Sequence, residues 1–316
     1  MKSTLLTKGL VPLFTLSILL FTQCKEDDSD NDAGSVQVEI TDAPIDDENV
    51  EGAFVTIVDV KIDGESMSDF TGKQTIDLLA YQRGEVKSLG TGTLETGTYN
   101  NVTLVLDYEK DASGNSPGCY VLTKDGTKHA LKSSSNTSSE VTATESFQAT
   151  QTGRTNLVFD FDVRKAVAYS NSGSSQYQFT SDAELSAAVR VVKKTETGTV
   201  RGNCNNPLTT SDRIVVYAYE KGTFNAATEK QGPVQFKNAV TSAVVDDQGN
   251  YTLSFLEDGD YELQFIGYDD SNSDGKMELQ GSLLLNVLGA LNLNNISVAA
   301  QTTVTLDVVV TGILPL

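Results

Sequence analysis

The stretch Leu157-Val158-Phe159-Asp160-Phe161-Asp162-Val163 decides the fold class, because apolar and acidic side chains alternate along it from Phe159 onward. Successive side chains of a β-strand point to opposite faces, so this pattern predicts a strand with one apolar and one polar face. Similar short apolar segments recur along the chain, separated by turns rich in Gly, Asn, Asp and Ser: 36–40, 53–62, 102–108, 120–131 and 185–191. Many short strands separated by such turns indicate an antiparallel sandwich or barrel.

The segment 53–62 carries a defect in this pattern. Val55 and Ile57 share one parity, whereas Val60 and Ile62 share the other. A slip of one residue would turn the buried face outward, so a β-bulge near Val58-Asp59 is expected.

The acidic face of the opening stretch has two interpretations. Asp160 and Asp162 could act as cation ligands or as a general acid/base pair. They could instead form a solvated strand face that Arg164 or Lys165 neutralises. The second interpretation is favoured, because alternation alone produces such pairs of carboxylates.

Several segments around this stretch resemble the family catalogued as domain of unknown function 4382. The resemblance covers roughly residues 34–195. It is carried by Ser35-Val36-Gln37-Val38-Glu39-Ile40-Thr41-Asp42-Ala43-Pro44, Gly97-Thr98-Tyr99, Phe159-Asp160-Phe161-Asp162-Val163-Arg164-Lys165 and Ala188-Val189-Arg190-Val191-Val192. The family has no established activity, so the resemblance implies a β fold and an extracytoplasmic setting, without a mechanism.

Residues 196–316 predict a second β-sandwich, beginning after a hinge at Thr195-Glu196-Thr197-Gly198. Tyr251, Leu253 and Phe255 alternate, an acidic turn follows at 257–260, and a second alternating strand returns from Tyr261 to Phe265, which predicts a hairpin. The pattern Gly249-Asn250-Tyr251-Thr252-Leu253 followed by Gly259-Asp260-Tyr261-Glu262-Leu263 resembles the prealbumin-like sandwich of carboxypeptidase regulatory-like modules. That resemblance implies a structural or binding module.

An acidic loop at 269–278 has the spacing of a calcium site. Its candidate ligands, which fall at loop positions 1, 3, 5, 7 and 9, are Asp270, Asn272, Asp274, the carbonyl of Lys276, and Glu278. Gly275 supplies the sharp turn, but Gly281 stands where an EF-hand has a bidentate glutamate. The alternative is an ordinary acidic turn between two strands.

The N-terminus predicts a lipoprotein. A basic start and an apolar run too short to span a bilayer indicate a signal peptide at residues 1–23. Thr22-Gln23-Cys24 resembles a bacterial lipobox, which implies lipidation of Cys24, although Gln23 stands where a small residue is usual. Residues 24–33 are expected to form an acidic tether. Its start, Cys24-Lys25-Glu26-Asp27-Asp28, resembles the export signal of surface lipoproteins in one Gram-negative phylum, and this implies the outer face of the outer membrane. The alternative is an ordinary secreted protein.

Charge and cysteine content limit the remaining functions. The net charge of −20 opposes binding of nucleic acid, because so acidic a surface repels phosphate backbones. Once Cys24 is lipidated, Cys119 and Cys204 remain; they could form a disulfide in an oxidising compartment, or stay as two partly buried free thiols. A single histidine, His129, cannot build a multi-histidine zinc site.

The sequence therefore predicts an all-β protein of two antiparallel β-sandwich domains, 34–195 and 196–316, behind a lipid anchor. Its expected role is non-enzymatic: binding a polysaccharide or protein at the cell surface, or building the envelope, with Ca²⁺ as the expected cofactor. The alternative is an extracellular hydrolase that acts on glycans through carboxylates of the first domain.

Overall fold

The computed structural model describes residues 33–44, 47–133, 138–169, 176–232, 234–273 and 276–315. The predicted signal peptide, Cys24, residues 24–32 of the tether, and Asp274 lie outside the described residues.

The first half of the chain, residues 33–195, is built almost entirely of strands. These are β1 Ala33–Ala43, β2 Val50–Ile62, β3 Glu65–Ser66, β4 Asp69–Phe70, β5 Gln74–Asp77, β6 Lys87–Glu95, β7 Gly97–Asp107, β8 Tyr120–Thr123, β9 Lys128–Ala130, β10 Ser138–Ala149, β11 Arg154–Asp162, β12 Val167–Tyr169, β13 Tyr177–Phe179 and β14 Val189–Lys193. Two short α-helices, α1 Val163–Ala166 and α2 Asp182–Ala187, and two 3-10 turns, Leu78–Ala80 and Lys194–Glu196, interrupt them.

The second half, residues 196–315, continues the pattern. Its elements are β15 Thr197–Asn205, β16 Arg213–Glu220, α3 Ala226–Glu229, β17 Thr241–Val244, β18 Asn250–Glu257, β19 Gly259–Asp269, β20 Glu278–Leu288, β21 Ile296–Val298, β22 Thr303–Thr305 and β23 Asp307–Pro315. The all-β fold class is therefore confirmed.

Two sheets face each other in the first half. One has the order β14-β11-β1-β6-β4, and the other runs β10-β7-β2-β8-β9 with β3 and β5 also on β2. Their inner faces form one apolar cluster that includes Val38, Ile40, Leu104, Phe159 and Phe161. The expected bulge in β2 is confirmed, because its register against β7 shifts between Ile57 and Asp59.

One pairing in this sandwich is parallel. β1 is antiparallel to β6 but parallel to β11, so that Thr41 lies opposite Asp160 and Asp42 opposite Phe161. The sheet is consequently mixed rather than purely antiparallel. This pairing places the end of β1 beside the acidic end of β11, although the two segments are far apart in sequence.

Strand β11 has no solvated face. Every residue from Leu157 to Asp162 is buried. The inner face packs in the first-half core, while Val158, on the opposite face, packs with Val192 and with Phe255 of the second half. The predicted solvated face of Asp160 and Asp162 is therefore wrong, because the second half of the chain covers it.

The second half is one sheet of nine strands that curls on itself. Its order is β17-β16-β19-β20-β23-β15-β18, with β21 on β19 and β22 on β15, and the terminal strands β17 and β18 lie against each other. β15 runs parallel to both β22 and β23.

The predicted hairpin between β18 and β19 is wrong. β18 pairs with β15, whereas β19 pairs with β16, β20 and β21. Tyr251 and Leu253 of β18, and Tyr261 and Leu263 of β19, bury in the same core from different parts of the curled sheet. Phe255 leaves this core, with a backbone φ of 56°, and turns toward the first half.

The two halves have separate cores. The main cluster of the first half contains no residue beyond 191, and that of the second half begins at Val200. Residues 32–316 nevertheless form one compact unit, and the predicted boundary falls in the turn Lys194–Glu196. The division into two domains stays a prediction.

The two described cysteines are free and buried, so the possible disulfide is not formed. Cys119 lies in the core of the first half and Cys204 in that of the second. The amide of Thr56 donates to the Cys119 Sγ, which in turn donates to the carbonyl of Asp107. Among the described residues, no helix has the length and apolar character needed to cross a membrane.

Candidate functional site

Charged side chains from the first half lie buried or half-buried where the two halves meet. We call this group the ionic junction; it consists of Asp160, Asp162, Arg164, Lys165 and Arg190. The side chains of Asp160 and Asp162 are 6% and 7% exposed, and that of Arg164 is 5% exposed. Burial of unpaired charges is very unfavourable, so the pairing of these groups determines what the site can do.

Asp160 pairs with Arg190 on the neighbouring strand. The two residues are directly opposite in the register of β11 and β14. Arg190 donates from Nε to the Asp160 carboxylate at 2.9 Å, and its Nη2 lies 2.6 Å from the same oxygen. Its Nη1 donates to the carbonyl of Phe255 at 2.7 Å. One guanidinium thus joins a carboxylate of the first half to the backbone of the second.

Asp162 is the N-cap residue of helix α1, and its carboxylate pairs with the side chains of Arg164 and Lys165. Its carboxylate accepts from the backbone amide of Lys165, as an N-cap does. The same carboxylate lies 2.9 Å from Arg164 Nη2 and 3.3 Å from Lys165 Nζ. Two charges near one carboxylate compensate for its burial.

The two cations also bind carbonyl groups of the second half. Arg164 Nη1 donates to the carbonyls of Gln235 and Phe236, at 2.6 and 3.1 Å. Lys165 Nζ donates to the carbonyl of Ala239 at 2.6 Å. The Arg164 guanidinium also lies over the ring of Tyr217, 5.3 Å from its centroid.

A further carboxylate, Asp42, lies beside the junction, and its hydrogen-bond donors among the described residues are neutral. It accepts hydrogen bonds from the amide of Val163 at 3.1 Å and from Gln82 Nε2 at 3.4 Å. Burial raises the pKa of Asp42 well above its ordinary value, and the nearby Asp162 and Asp160 add to the rise. Asp42 therefore favours its neutral form more than an exposed aspartate does.

The pKa of Asp162 shifts in the opposite direction, below its ordinary value. Burial alone would raise its pKa, but the adjacent Arg164 and Lys165 outweigh burial and lower the pKa below its ordinary value. Burial lowers the pKa of Lys165 even though Asp162 opposes that change. The junction thus holds an ionised Asp162 close to an Asp42 that resists ionisation.

The arrangement suits coupling of the halves better than acid/base chemistry. Both predicted carboxylates are buried and already bound to cations, and those cations are bound to backbone carbonyls. The predicted neutralisation of the pair by Arg164 or Lys165 holds for Asp162. For Asp160 the partner is Arg190, whose role the alternation in β11 could not indicate.

A cleft of about 270 Å³ lies beside the junction, lined by residues of both halves. Asp47 is the only carboxylate among its described lining residues, and it accepts a hydrogen bond from the Tyr177 hydroxyl at 2.7 Å. The cleft therefore does not offer, among these residues, the pair of carboxylates that glycoside hydrolysis uses.

The described part of the predicted calcium loop is held by its own side chains. Glu278 accepts from the amide and hydroxyl of Ser271, at 2.9 and 2.8 Å, and from Asn272 Nδ2 at 2.9 Å. Lys276 forms an isolated backbone bridge with Asp47 and places its ammonium group over the ring of Tyr169.

These contacts do not assemble a calcium donor set. Within the described ranges, no group of three or more His, Cys, Asp or Glu side chains could hold a metal ion. Asp270 and Asp274 were predicted as ligands beside Asn272 and Glu278, but Asp274 lies outside the described residues. Calcium binding by this loop stays a prediction.

Comparison with known proteins confirms the resemblance of the first half. Residues 33–181 match the family described as Domain of unknown function (DUF4382). The matched range contains β1, β11 and α1, and hence all of the ionic junction except Arg190. No curated protein matches the chain.

Solved structures with some likeness come from bacterial proteins. The Bacillus anthracis TIE protein is 11% identical with a TM-score of 0.20, and the match covers 88% of this chain and 34% of that one. BcpA, the major pilin subunit of Bacillus cereus, is 10% identical with a TM-score of 0.20, covering 88% and 70%. GBS52, the minor pilin of Streptococcus agalactiae, is 13% identical with a TM-score of 0.21, covering 89% and 97%. The chain thus spans about a third of the TIE protein, and similarity at these scores supports no inference about function.

Proposed function

We propose that this protein is a lipoprotein of the outer membrane, anchored through Cys24 and exposed on the cell surface, with a binding or scaffolding role and no enzymatic activity. The observation that carries the non-enzymatic part is the ionic junction. Its carboxylates, which a hydrolase would need in the cleft, are instead bound to Arg190, Arg164 and Lys165.

The junction also supports a scaffolding role. Arg190, Arg164 and Lys165 donate to backbone carbonyls at residues 255, 235, 236 and 239 of the second half. Backbone carbonyls are fixed by the strands and turns that carry them, so these bonds restrain the relative motion of the halves. Two sandwiches whose relative motion is restrained in this way are suited to presenting a binding surface away from a membrane.

A hydrolysis screen tests the non-enzymatic role against the rival function. The purified protein, from Lys25 onward, is incubated with a panel of surface glycans, and the same panel is printed as an array for binding. We expect no turnover. Turnover by the wild-type protein would overturn the proposal, and its loss in Asp160→Asn, with circular dichroism showing that the variant is folded, would assign the hydrolase to this carboxylate.

Labelling of growing cells tests the anchor. We expect a clickable fatty acid to label the wild-type protein and to leave Cys24→Ala unlabelled, since the acyl chains attach at that cysteine. Added protease should degrade the labelled protein on intact cells if it faces outward. Label on Cys24→Ala would contradict the anchor, and protection from protease would contradict the outward orientation.

Calcium binding at 270–278 completes the proposal, supported by the alternate oxygen side chains at positions 270, 272 and 274. We expect calcium to raise the melting temperature of the wild type but not that of Asp274→Asn. Asp258→Asn, which makes the same change in a turn outside the loop, serves as the matched control. Equal responses of wild type and Asp274→Asn would refute this part alone.

A further inference from the structure

The cleft beside the ionic junction brings aromatic and charged side chains of both halves together. Its polar and aromatic lining, which we call the tyrosine cleft, consists of Asp47, Tyr169, Tyr177, Gln235, Tyr268 and Lys276. Three of the 11 tyrosines of the chain thus meet in one place. The cleft has a volume of about 270 Å³. Pockets for drug-sized ligands hold about 300–1,000 Å³, so this one suits a ligand of one or two rings.

A short backbone bridge positions the charged groups of the tyrosine cleft. Asp47 of the first half and Lys276 of the second pair as an isolated antiparallel bridge. Residues directly opposite each other in an antiparallel pair project their side chains to the same side. A carboxylate and an ammonium group from different halves therefore line the same space.

A tyrosine holds each of these two groups. The Asp47 carboxylate accepts from the Tyr177 hydroxyl at 2.7 Å and from the amide of Asn49 at 2.9 Å. A carboxylate has about four lone-pair sites, so Asp47 retains the capacity to accept from a ligand. The Lys276 ammonium group lies over the ring of Tyr169, and this cation–π contact fixes it at the wall of the cleft.

The charges that line the cleft balance one another. The third charged residue among its described lining residues, Arg164, is paired with Asp162 at 2.9 Å, which leaves Asp47 opposite Lys276. An anionic ligand would meet the Asp47 carboxylate and a chain of net charge −20. A purely apolar ligand would bury both charged groups without giving them a partner. The cleft therefore favours an uncharged ligand that carries hydrogen-bonding groups.

The remaining walls of the cleft are apolar. Val167, Val234 and Met277 line it beside the tyrosine rings. A pyranose ring has C–H groups on its faces and hydroxyl groups around its edge. Its hydroxyl groups can donate to Asp47 and accept from Lys276, while its faces contact the apolar and aromatic walls.

We infer that the tyrosine cleft binds a neutral pyranose unit of a glycan. This inference rests on the binding role proposed above and gives that role a site. The competing ligand class is a dipeptide, whose amine and carboxylate could pair with Asp47 and Lys276. Two full charges cost more to remove from water than hydroxyl groups do, and Asp47 already accepts two hydrogen bonds, so the sugar is favoured.

Ligand-observed NMR titration of the protein from Lys25 onward tests this inference. The neutral probes are maltotriose, cellotriose, mannotriose and xylotriose, and the charged probes are trigalacturonic acid and glycylglycine. We expect at least one neutral probe to bind with a Kd of about 1 mM, since so small a ligand makes few contacts.

Two variants of the cleft locate the binding. Asp47→Asn and Lys276→Met should each weaken binding of the neutral probe at least about tenfold, because each removes a charge-assisted hydrogen bond. Lys128→Met is the matched control and should bind as the wild type does. Its ammonium group also lies over a tyrosine ring, 4.1 Å from the centroid of Tyr120, but outside the cleft. Circular dichroism verifies the fold of each variant.

Each possible failure has a distinct reading. Wild-type affinity in both cleft variants would overturn the assignment of the cleft and leave the binding role standing, because the glycan would then bind elsewhere. Preference for trigalacturonic acid or glycylglycine over every neutral probe would overturn the neutral sugar, and so would the lack of binding by any probe at about 10 mM. Shortened sugars in the wild-type titration would instead overturn the proposed non-enzymatic function.

Discussion

At the scale of single residues, the junction shows how position gives similar side chains different chemistry. Asp162 and Asp42 are both buried aspartates at the ends of neighbouring strands. Cations beside Asp162 lower its pKa, whereas Asp42 has an amide and a carboxamide as donors and a raised pKa. The difference follows from the partners that each carboxylate meets, since both are equally removed from water.

Removing a cation from the junction should be costly. Arg164→Ala leaves Asp162 without one of its two cations and leaves the carbonyls of Gln235 and Phe236 without their donor. We expect the free energy of unfolding to fall by about 3–5 kcal/mol, measured by urea titration, since a buried charge loses its partner. Lys61→Ala is the control, because it removes a more exposed pair with Glu140. It should change the urea midpoint of unfolding very little. Equal effects would refute the special role of the junction.

Asp42 should make stability depend on pH. A raised folded pKa means that the native protein binds the proton more tightly than the unfolded chain, whose aspartates titrate near about 3.9. The associated stability is present below the unfolded pKa and is lost as pH rises through the folded pKa. Asp42→Asn removes this titration, so we expect the unfolding free energy of the variant to rise relative to that of the wild type as the pH increases. Urea titrations at about one-unit intervals between about pH 4 and pH 8 would measure the difference. Parallel pH profiles of unfolding free energy would contradict the assignment.

At the scale of elements, the second half depends on the close approach of strand β15 to Leu306, the residue that joins β22 to β23. The amide of Leu306 donates to the carbonyl of Arg201, and the Tyr251 hydroxyl donates to the carbonyl of Leu306 at 2.7 Å. Gly202 lies between these groups, where a Cβ atom would collide with the Leu306 carbonyl oxygen. A glycine is therefore required for the parallel strands to meet.

Gly202→Ala should open this contact. We expect a loss of about 1–3 kcal/mol in unfolding free energy, because the strand must shift to accept the methyl group. Gly97→Ala provides the control, since Gly97 also lies on a strand but has nothing within 4 Å of the added Cβ. Thermal melts of the two variants would measure the difference in stability. A melting temperature of Gly202→Ala identical to that of the wild type would show that position 202 has room for a methyl group.

At the scale of the whole molecule, two sandwiches with separate cores behave as one compact unit. The ionic junction, the packing of Phe255 on Val158 and Val192, and the pair between Arg83 and Asp246 at 3.0 Å all cross between the halves. The exposed Arg83 pair contributes little, so the buried contacts carry most of the coupling.

The two buried thiols can report whether the halves unfold together. Burial raises the pKa of both Cys119 and Cys204 to about 12, so neither thiol should react in the folded protein. We expect pulsed alkylation in increasing urea, read by mass spectrometry, to modify both at the same concentration. Arg190→Ala should separate the two transitions, because it removes the bond to the Phe255 carbonyl. Separate transitions in the wild type would show that the halves unfold independently.

The sequence by itself determined the all-β class, the bulge in β2 and the resemblance of the first half to the domain of unknown function 4382, because hydrophobic period, parity and short motifs are local properties. One of its two interpretations had Arg164 or Lys165 neutralise Asp160 and Asp162, and this holds for Asp162, because both cations follow directly in the chain. Tertiary structure decided the parallel pairing of β1 with β11, the separate partners of β18 and β19, and the burial of Asp160 and Asp162. Each depends on which distant segment covers a given face, and alternation along one strand shows that a face exists without showing what lies against it.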